Sequence, residues 1–97
     1  MYPPFGRRSR AFDSRFVLPS FEAVLDIAAS RSAPARAIGV YPELKHPQFF
    51  ATQGIDVTAI CIDLLRRRGH HGKFDPVWLQ CFELAPLRRV HEALALP

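Results

Sequence analysis

The sequence predicts an α/β fold in which helix, strand, helix, strand and helix follow one another along the chain. Three stretches with helical periodicity alternate with two short apolar runs, at residues 37–41 and 77–82. Strands that alternate with helices at this spacing are typical of parallel strands joined by right-handed crossovers, the unit of barrels and doubly wound sheets. Because two parallel strands alone leave open edges and an uncovered face, we expect the chain to be a slice of a larger α/β domain.

Size and composition allow a single small domain with a hydrophobic core. Apolar residues make up 48% of the 97 residues, but no uninterrupted apolar run reaches the roughly 18 residues of a membrane-spanning helix. No apolar segment typical of signal peptides follows the basic residues near Met1, so we expect neither a membrane span nor a secretion signal. Cys61 and Cys81 lie within apolar patterns without metal-ligand spacing, which predicts buried thiols.

The net charge of +4 raises the question of a nucleic-acid partner, and the distribution of the basic residues argues against one. Arg66, Arg67 and Arg68 close a predicted helix, where cations complement the helix dipole without any partner. Other arginines cluster in an irregular N-terminal segment. No zinc finger, helix-turn-helix pair or aromatic RNA-binding signature accompanies them, so we predict no nucleic-acid binding.

Residues 1–17 form a distinct head that mixes Pro, Gly, Arg and Ser with Phe and has no period of 2 or 3.6. We therefore divide the chain into this irregular head and a partial α/β domain at residues 18–97. Phe5, Phe12 and Phe16 make the head unusually apolar for an irregular segment. Together with open sheet edges, these residues predict self-association if the chain folds alone.

The first helix is predicted to follow Ser20, which is a suitable N-cap. Its apolar residues recur at the spacing of one helical face, namely Phe21, Val24, Leu25 and Ala28. The helix is expected to end near residues 30–32. A short proline-containing link at 33–36 then leads to the first strand, which is apolar throughout, as buried parallel strands tend to be.

The second helix has the clearest signals, because Asp56 can cap it and Gly69 can end it. Its apolar face consists of Val57, Ile60, Cys61, Leu64 and Leu65. Residues 48–55, directly before this helix, are predicted to form a loop. The third helix is expected to begin near Pro86, which suits a first helical turn, and to carry a stripe formed by Leu87, Val90, His91 and Leu94.

Two polar residues with chemical potential come directly after the first strand. Glu43 and Lys45 are separated by one residue, which places both side chains on the same side of an extended backbone. Parallel strands of α/β proteins deliver polar groups from their carboxyl ends into a crevice, where functional sites lie. The spacing alone leaves two interpretations open: a metal-binding carboxylate beside a phosphate-binding ammonium, or a solvated surface ion pair.

Four stretches of the chain follow the order and spacing of one known family. They read LPSFEAVL at residues 18–25, IGVYPELK at 38–45, VWLQCFE at 77–83 and LRR at 87–89. In this order they resemble the middle of the glycerophosphodiester phosphodiesterases, particularly the bacterial periplasmic type. The similarity covers residues 18–89 and is far more specific than any single motif.

The resemblance implies a TIM (β/α)8 barrel, of which this chain would hold two central strands with their helices. Members of the family hydrolyse glycerophosphodiesters to an alcohol and glycerol 3-phosphate, using a divalent cation, often calcium or magnesium, and two histidines as acid and base. The full-length type is periplasmic or extracellular. By position, Glu43 matches the metal-binding glutamate and Lys45 matches the lysine that helps to hold the phosphate. A hard cation prefers carboxylate oxygens, so the residue types suit these roles.

Departures from the family pattern limit the activity expected of this chain. The family's His-Arg-Gly motif, its Glu-x-Asp metal pair and its second catalytic histidine have no match before Leu18. The four histidines that are present do not match the catalytic positions: His46, His70, His71 and His91. We therefore expect a fragment that lacks the catalytic histidine pair and is inactive as an isolated chain.

Further residues are assigned to the lining of the substrate pocket, with packing inside a barrel as the open alternative. They are Gln80, Cys81 and Phe82 in the second strand. Phe49, in the loop after the first strand, is a further candidate for the pocket wall, with cover of a hydrophobic flank as its open alternative. Trp78 is predicted to lie in the core. A different class of function also stays open: a small non-enzymatic α/β protein that binds phosphate or acts in assembly through Lys45 and the basic head.

Overall fold

The computed structural model describes residues 9–97, in which four helices and two strands follow one another. The elements are α1 (Phe21–Arg31), β1 (Glu43–Leu44), α2 (Pro47–Thr52), α3 (Val57–Arg67), β2 (Gln80–Cys81) and α4 (Leu84–Leu94). β1 and β2 pair in parallel. The predicted α/β class with two parallel strands is confirmed, whereas the barrel stays a prediction. Of the head, Phe5, Arg7 and Arg8 lie outside the described residues.

The two helix starts predicted from capping residues are confirmed. The Ser20 hydroxyl accepts a hydrogen bond from the Ala23 amide at 3.1 Å, at the start of α1. The Asp56 carboxylate accepts one from the Ala59 amide at 2.9 Å, at the start of α3. Each cap satisfies an amide that has no partner within its helix. After α3, Gly69 adopts a positive φ of 79°, which favours glycine at a helix end.

The paired region is longer than the two assigned strands, and Pro42 explains the difference. A single register runs from an isolated bridge at Val40 to the pairing of Leu44. The Val40 amide donates to the Pro76 carbonyl at 2.8 Å, and the Val40 carbonyl accepts from the Trp78 amide at 3.0 Å. Pro42 has no N–H, and only its carbonyl takes part, accepting from the Gln80 amide at 2.8 Å. The bounds predicted for the first strand, 37–41, are therefore wrong, because regular pairing begins only after this proline.

A short helix, α2, occupies most of the interval that the sequence predicts as a loop. The prediction of a loop at 48–55 is therefore wrong. Pro47 lies at the first helical position, where a missing N–H removes no hydrogen bond from the helix. The chain leaves the helix after Thr52, and Gly54 adopts a positive φ of 78°. Six residues are too few to show helical periodicity in a sequence.

The third predicted helix is confirmed as α4, although it begins two residues before Pro86. Its buried residues, Val90 and Leu94, lie on the predicted apolar stripe. Ala95 follows in the left-handed conformation and ends the helix. Among residues 9–97, no helix is long and apolar enough to cross a membrane.

One hydrophobic core joins α1, α3 and α4 to one face of the sheet. Leu65 on α3 and Val77 just before β2 have no exposed surface. The remaining buried members of the core are Leu25, Cys61, Ile62, Val90, Leu94 and Leu96. Arg68 adds ion pairs to Glu22 and Asp26, which tie the end of α3 to α1. The prediction of two buried thiols is also confirmed.

The other face of the sheet is exposed within the part of the chain that the structure describes. Tyr41 is 68% exposed, Trp78 47% and Phe82 87%, although all three lie in or beside the paired region. The prediction that Trp78 belongs to the core is wrong, because its side chain points to the uncovered face. The molecule measures 20 Å along its shortest axis, which is about one helix layer plus one sheet layer. Its radius of gyration of 16.2 Å exceeds the roughly 13 Å of a compact domain of this length.

Candidate functional site

A small cavity lies at the carboxyl ends of the two parallel strands, where the sequence predicts a site. Its volume is about 220 Å³. Residues from both strand ends and from the turn before α2 line it: Glu43, Leu44, Lys45, His46, Pro47, Cys81, Phe82 and Glu83. Parallel strands bring their carboxyl ends to the same edge of a sheet, which explains why segments almost 40 residues apart meet here.

Glu43 and Lys45 both line this cavity. Glu43 pairs with Gln80 in the sheet, and its neighbour Leu44 packs against the helix-covered core. Because side chains alternate along a strand, Glu43 and Lys45 are directed to the uncovered face. Both are exposed, and within residues 9–97 neither forms a salt bridge. The described structure therefore gives no support to the surface ion pair.

A second carboxylate, Glu83, lines the same cavity and was not assigned a role from the sequence. Its Oε2 atom accepts a hydrogen bond from the Gln48 amide at 3.1 Å. Its own amide donates to the Cys81 sulfur at 3.4 Å. The signal that could have identified it is its place at the end of a strand, one residue beyond Phe82 and opposite the Glu43 strand.

The four residues predicted to line a pocket separate into two groups. Cys81 and Phe82 line the cavity, Cys81 from a buried position and Phe82 from an exposed one. Gln80 is half-buried in the sheet and Phe49 is exposed on α2, and neither lines this cavity. Phe49 instead packs edge-on against Phe50, with ring centroids 5.5 Å apart. The structure thus brings Glu43, Lys45, Cys81 and Phe82 together.

The four histidines do not form an acid/base pair in residues 9–97. His46 lines the cavity from the turn before α2. His70 lies at the opposite end of the sheet, with Nδ1 3.0 Å from the Asp75 carboxylate. His91 lies on α4, with Nδ1 3.1 Å from the Leu96 carbonyl. That none of them fills the family's catalytic positions stays a prediction.

The donor atoms of the cavity fit a hard divalent cation in type but not in number. Calcium and magnesium prefer carboxylate and carbonyl oxygens, and Glu43 presents an exposed carboxylate. No group of three or more His, Cys, Asp or Glu residues that could hold a metal ion exists among residues 9–97. Glu43 can therefore contribute one ligand of a larger set. Cys61 is no candidate, because burial raises the pKa of its thiol to about 11 and keeps it protonated.

Two curated proteins are similar in sequence to nearly the whole of this chain. No protein-family model matches it. It is 30% identical over 93 residues to a Treponema pallidum protein named glycerophosphodiester phosphodiesterase, covering 95% of this chain and 26% of that protein. It is also 30% identical over 95 residues to a Haemophilus influenzae protein of the same name, covering 97% of this chain and 25% of that protein.

The chain therefore spans about a quarter of the length of these curated relatives. Nearly all of this chain is thus similar to one segment of the glycerophosphodiester phosphodiesterases, which confirms the resemblance that its sequence motifs indicate.

Proposed function

We propose that this chain supplies one side of the active site of a metal-dependent glycerophosphodiester phosphodiesterase. The reaction is the hydrolysis of a glycerophosphodiester to an alcohol and glycerol 3-phosphate. Glu43 provides one ligand to a divalent cation, and Lys45 binds the phosphate. The observation that carries this proposal is the placement of these two side chains, together and unpaired within residues 9–97, in a cavity at the carboxyl ends of parallel strands.

The chemistry of phosphodiester hydrolysis calls for both residue types. A calcium or magnesium ion bound there would supply a Lewis acid that withdraws negative charge from a phosphoryl oxygen. The Lys45 ammonium is placed to interact with the remaining phosphoryl oxygens, whose charge must be balanced as the bond to the alcohol breaks. The Glu43 carboxylate holds a cation close to this ammonium without cancelling its charge, since the two form no ion pair in the described residues.

The arrangement of layers supports the proposal that the chain is a slice of a TIM barrel. In such barrels, helices surround a closed parallel sheet, and active sites lie at the carboxyl ends of the strands. Here the helices cover one sheet face, and the cavity lies at the carboxyl end. Glu43 and Lys45 are on the uncovered face, which corresponds to the barrel interior in this proposal.

The isolated chain is proposed to be inactive because it supplies only part of the chemistry. Residues 9–97 contain no group of three metal-binding side chains, and the sequence predicts that no histidine of this chain fills the family's acid/base positions. The purified chain, assayed with a glycerophosphodiester and either calcium or magnesium, is expected to release no glycerol 3-phosphate. Release that disappears in Glu43→Ala would contradict this part of the proposal.

A chimera tests the positive part. In it, the 93 matched residues of the Treponema pallidum protein are replaced by the corresponding residues of this chain. Metal-dependent hydrolysis by a folded chimera, with folding checked by circular dichroism, is the expected result. A folded chimera without activity would contradict the proposal. Tight phosphate binding by the isolated chain as a stable monomer would instead favour a non-enzymatic phosphate-binding protein.

A further inference from the structure

The turn between β1 and α2 carries Lys45 and has an unusual conformation. His46 has φ of 49° and ψ of 47°, in the left-handed region that residues with a side chain seldom adopt. His46 occupies the N-cap position of α2, yet its side chain donates or accepts no hydrogen bond there. The turn therefore lacks the local cap that usually fixes the entry into a helix.

Glu83 supplies this missing hydrogen bond from a distant part of the chain. Its carboxylate accepts from the Gln48 amide at 3.1 Å across 35 residues of sequence. Gln48 lies in the first turn of α2, where amides have no partner within the helix. Glu83 itself occupies the N-cap position of α4, but its side chain makes no capping bond to that helix. The carboxylate thus bonds to a neighbouring helix and not to its own.

The position of Glu83 is in turn fixed by β2. Its amide donates to the sulfur of Cys81, which is buried and pairs with Leu44. A continuous set of contacts therefore leads from the sheet through Glu83 to the Gln48 amide. This set ends in the first turn of α2, directly after the β1–α2 turn that carries Lys45.

We propose that Glu83 is a positioning residue that holds the β1–α2 turn against the end of β2 and so fixes Lys45 beside Glu43. The proposed phosphate and metal roles of Lys45 and Glu43 rest on the function proposed above, whereas the hold on the turn does not. Glu83 acts through a backbone amide and needs no contact with substrate. A carboxylate suits this task, since hydrogen bonds to charged acceptors are stronger than neutral ones.

Nuclear magnetic resonance of the full 97-residue chain tests the hold directly. Glu83→Ala is expected to accelerate hydrogen exchange of the Gln48 amide about tenfold, because its only described acceptor is lost. The strong intraresidue amide–Hα cross-peak of His46, which a positive φ produces, is expected to weaken. Glu83→Gln retains an acceptor oxygen and is expected to restore both signals in large part.

Two controls separate positioning from general stability. The Leu65 amide, at the buried centre of α3, reports global opening and is expected to exchange at an unchanged rate in Glu83→Ala. Glu92→Ala removes an exposed carboxylate of α4 that does not line the cavity, and is expected to change none of these signals.

Unchanged exchange at Gln48 in Glu83→Ala would overturn the proposal. Equal acceleration at Gln48 and Leu65 would also overturn it, since the effect would then be one of overall stability. None of these measurements depends on hydrolysis. An inactive folded chimera alongside a selective response at Gln48 would therefore contradict the proposed function and leave the role of Glu83 in the turn supported.

Discussion

The two faces of the sheet differ in how completely the chain covers them. On one face, Val77 and its neighbours pack under α1, α3 and α4 and lose almost all contact with solvent. On the other face, Tyr41, Trp78 and Phe82 project from the same two paired segments and remain exposed. The covered face resembles the interior of an ordinary α/β domain, whereas the uncovered face carries large apolar side chains of the kind that mark an interaction surface.

The residues expected to govern stability and those proposed to act in function lie on opposite faces of the sheet. The residues that hold the described elements together lie on the covered face, and the polar pair Glu43 and Lys45 lies on the uncovered one. Substitutions on the covered face are therefore expected to have the largest effects on folding, whereas those of exposed side chains on the uncovered face are expected to affect mainly association or chemistry. The following predictions test that division, in order of decreasing expected effect.

The largest effect is expected at the centre of the covered face. Leu65→Ala removes a fully buried side chain and is expected to lower the free energy of unfolding by about 3 kcal/mol. Ile60→Ala is the matched control, with an expected change below about 0.5 kcal/mol, because Ile60 is 61% exposed. The sequence places Ile60 on the apolar face of this helix, and that prediction is wrong. Urea denaturation followed by circular dichroism measures both. Similar losses in the two variants would show that α3 does not form the core described here.

On the uncovered face, the expected effect is on association and not on folding. Self-association of the chain stays a prediction, and Phe82 is its most exposed large side chain on this face. Phe82→Lys is expected to raise the dissociation constant of self-association about tenfold, because an apolar contact is replaced by a charge. Phe74→Lys alters an equally exposed phenylalanine in the link before β2 and serves as the control. Light scattering across a concentration series that shows a monomer, or an equal effect of both variants, would contradict the prediction.

One close contact on the uncovered face has a smaller expected effect. A Cβ atom on Gly39 would lie 2.5 Å from Cζ3 of Trp78 and 3.2 Å from the Pro76 carbonyl oxygen. Gly39→Ala is therefore expected to displace the indole and to lower the free energy of unfolding by about 1 kcal/mol. In a Trp78→Ala background, the cost of the same substitution should fall markedly, as a denaturation cycle of the four proteins would reveal. Equal costs in both backgrounds would exclude the contact as the cause.

The smallest effect is expected from an exposed ion pair between helices. Arg89 on α4 bonds both carboxylate oxygens of Asp56 at 3.0 Å, and this hydrogen bonding lowers the pKa of Asp56 from its ordinary 3.8. A lowered folded-state pKa means that the pair stabilises the protein above the unfolded-state pKa and that this stabilisation disappears as pH falls through the folded-state value. Arg89→Met is expected to reduce stability slightly at neutral pH and to match the wild type in strong acid.

Arg88→Met is the control for that pH dependence, because Arg88 is an exposed neighbour on the same helix without an ion pair in residues 9–97. Thermal unfolding between pH 2 and 7 measures the difference in stability between each variant and the wild type. Because the lowered pKa of Asp56 depends on Arg89, only Arg89→Met is expected to show a difference that changes with pH. A difference that persists unchanged in strong acid would assign the effect of Arg89 to packing and not to charge.

The elements that could be predicted from the sequence are those that local chemistry determines. Ser20 and Asp56 mark helix starts because their side chains accept hydrogen bonds from amides only three residues away. The bounds predicted for the first strand are wrong because Pro42 has no N–H to donate to the second strand. Whether that position faces the second strand depends on the pairing register, which a short pattern does not reveal. α2 was missed because it has only six residues.

The site could be predicted only in part, for the same reason. The spacing of Glu43 and Lys45 after a strand predicts that they share one side of the backbone, which is local information, whereas their metal and phosphate roles come from the family resemblance and stay predictions. The contact of Glu83 with Gln48 crosses 35 residues and depends on the parallel register, which no short pattern encodes. The exposure of Trp78 depends on how many elements cover its sheet face, and alternation along a strand does not reveal that number.

Measurement of cation-dependent hydrolysis in the chimera with Glu43→Gln tests the central claim most directly. The account predicts a fall in activity of about a hundredfold that added calcium or magnesium partly restores, because a charged oxygen ligand has been lost. Glu92→Gln, the control on α4, is predicted to leave hydrolysis and its cation dependence unchanged. Full activity in Glu43→Gln, or an equal loss in Glu92→Gln, would contradict the assignment of Glu43 as a metal ligand.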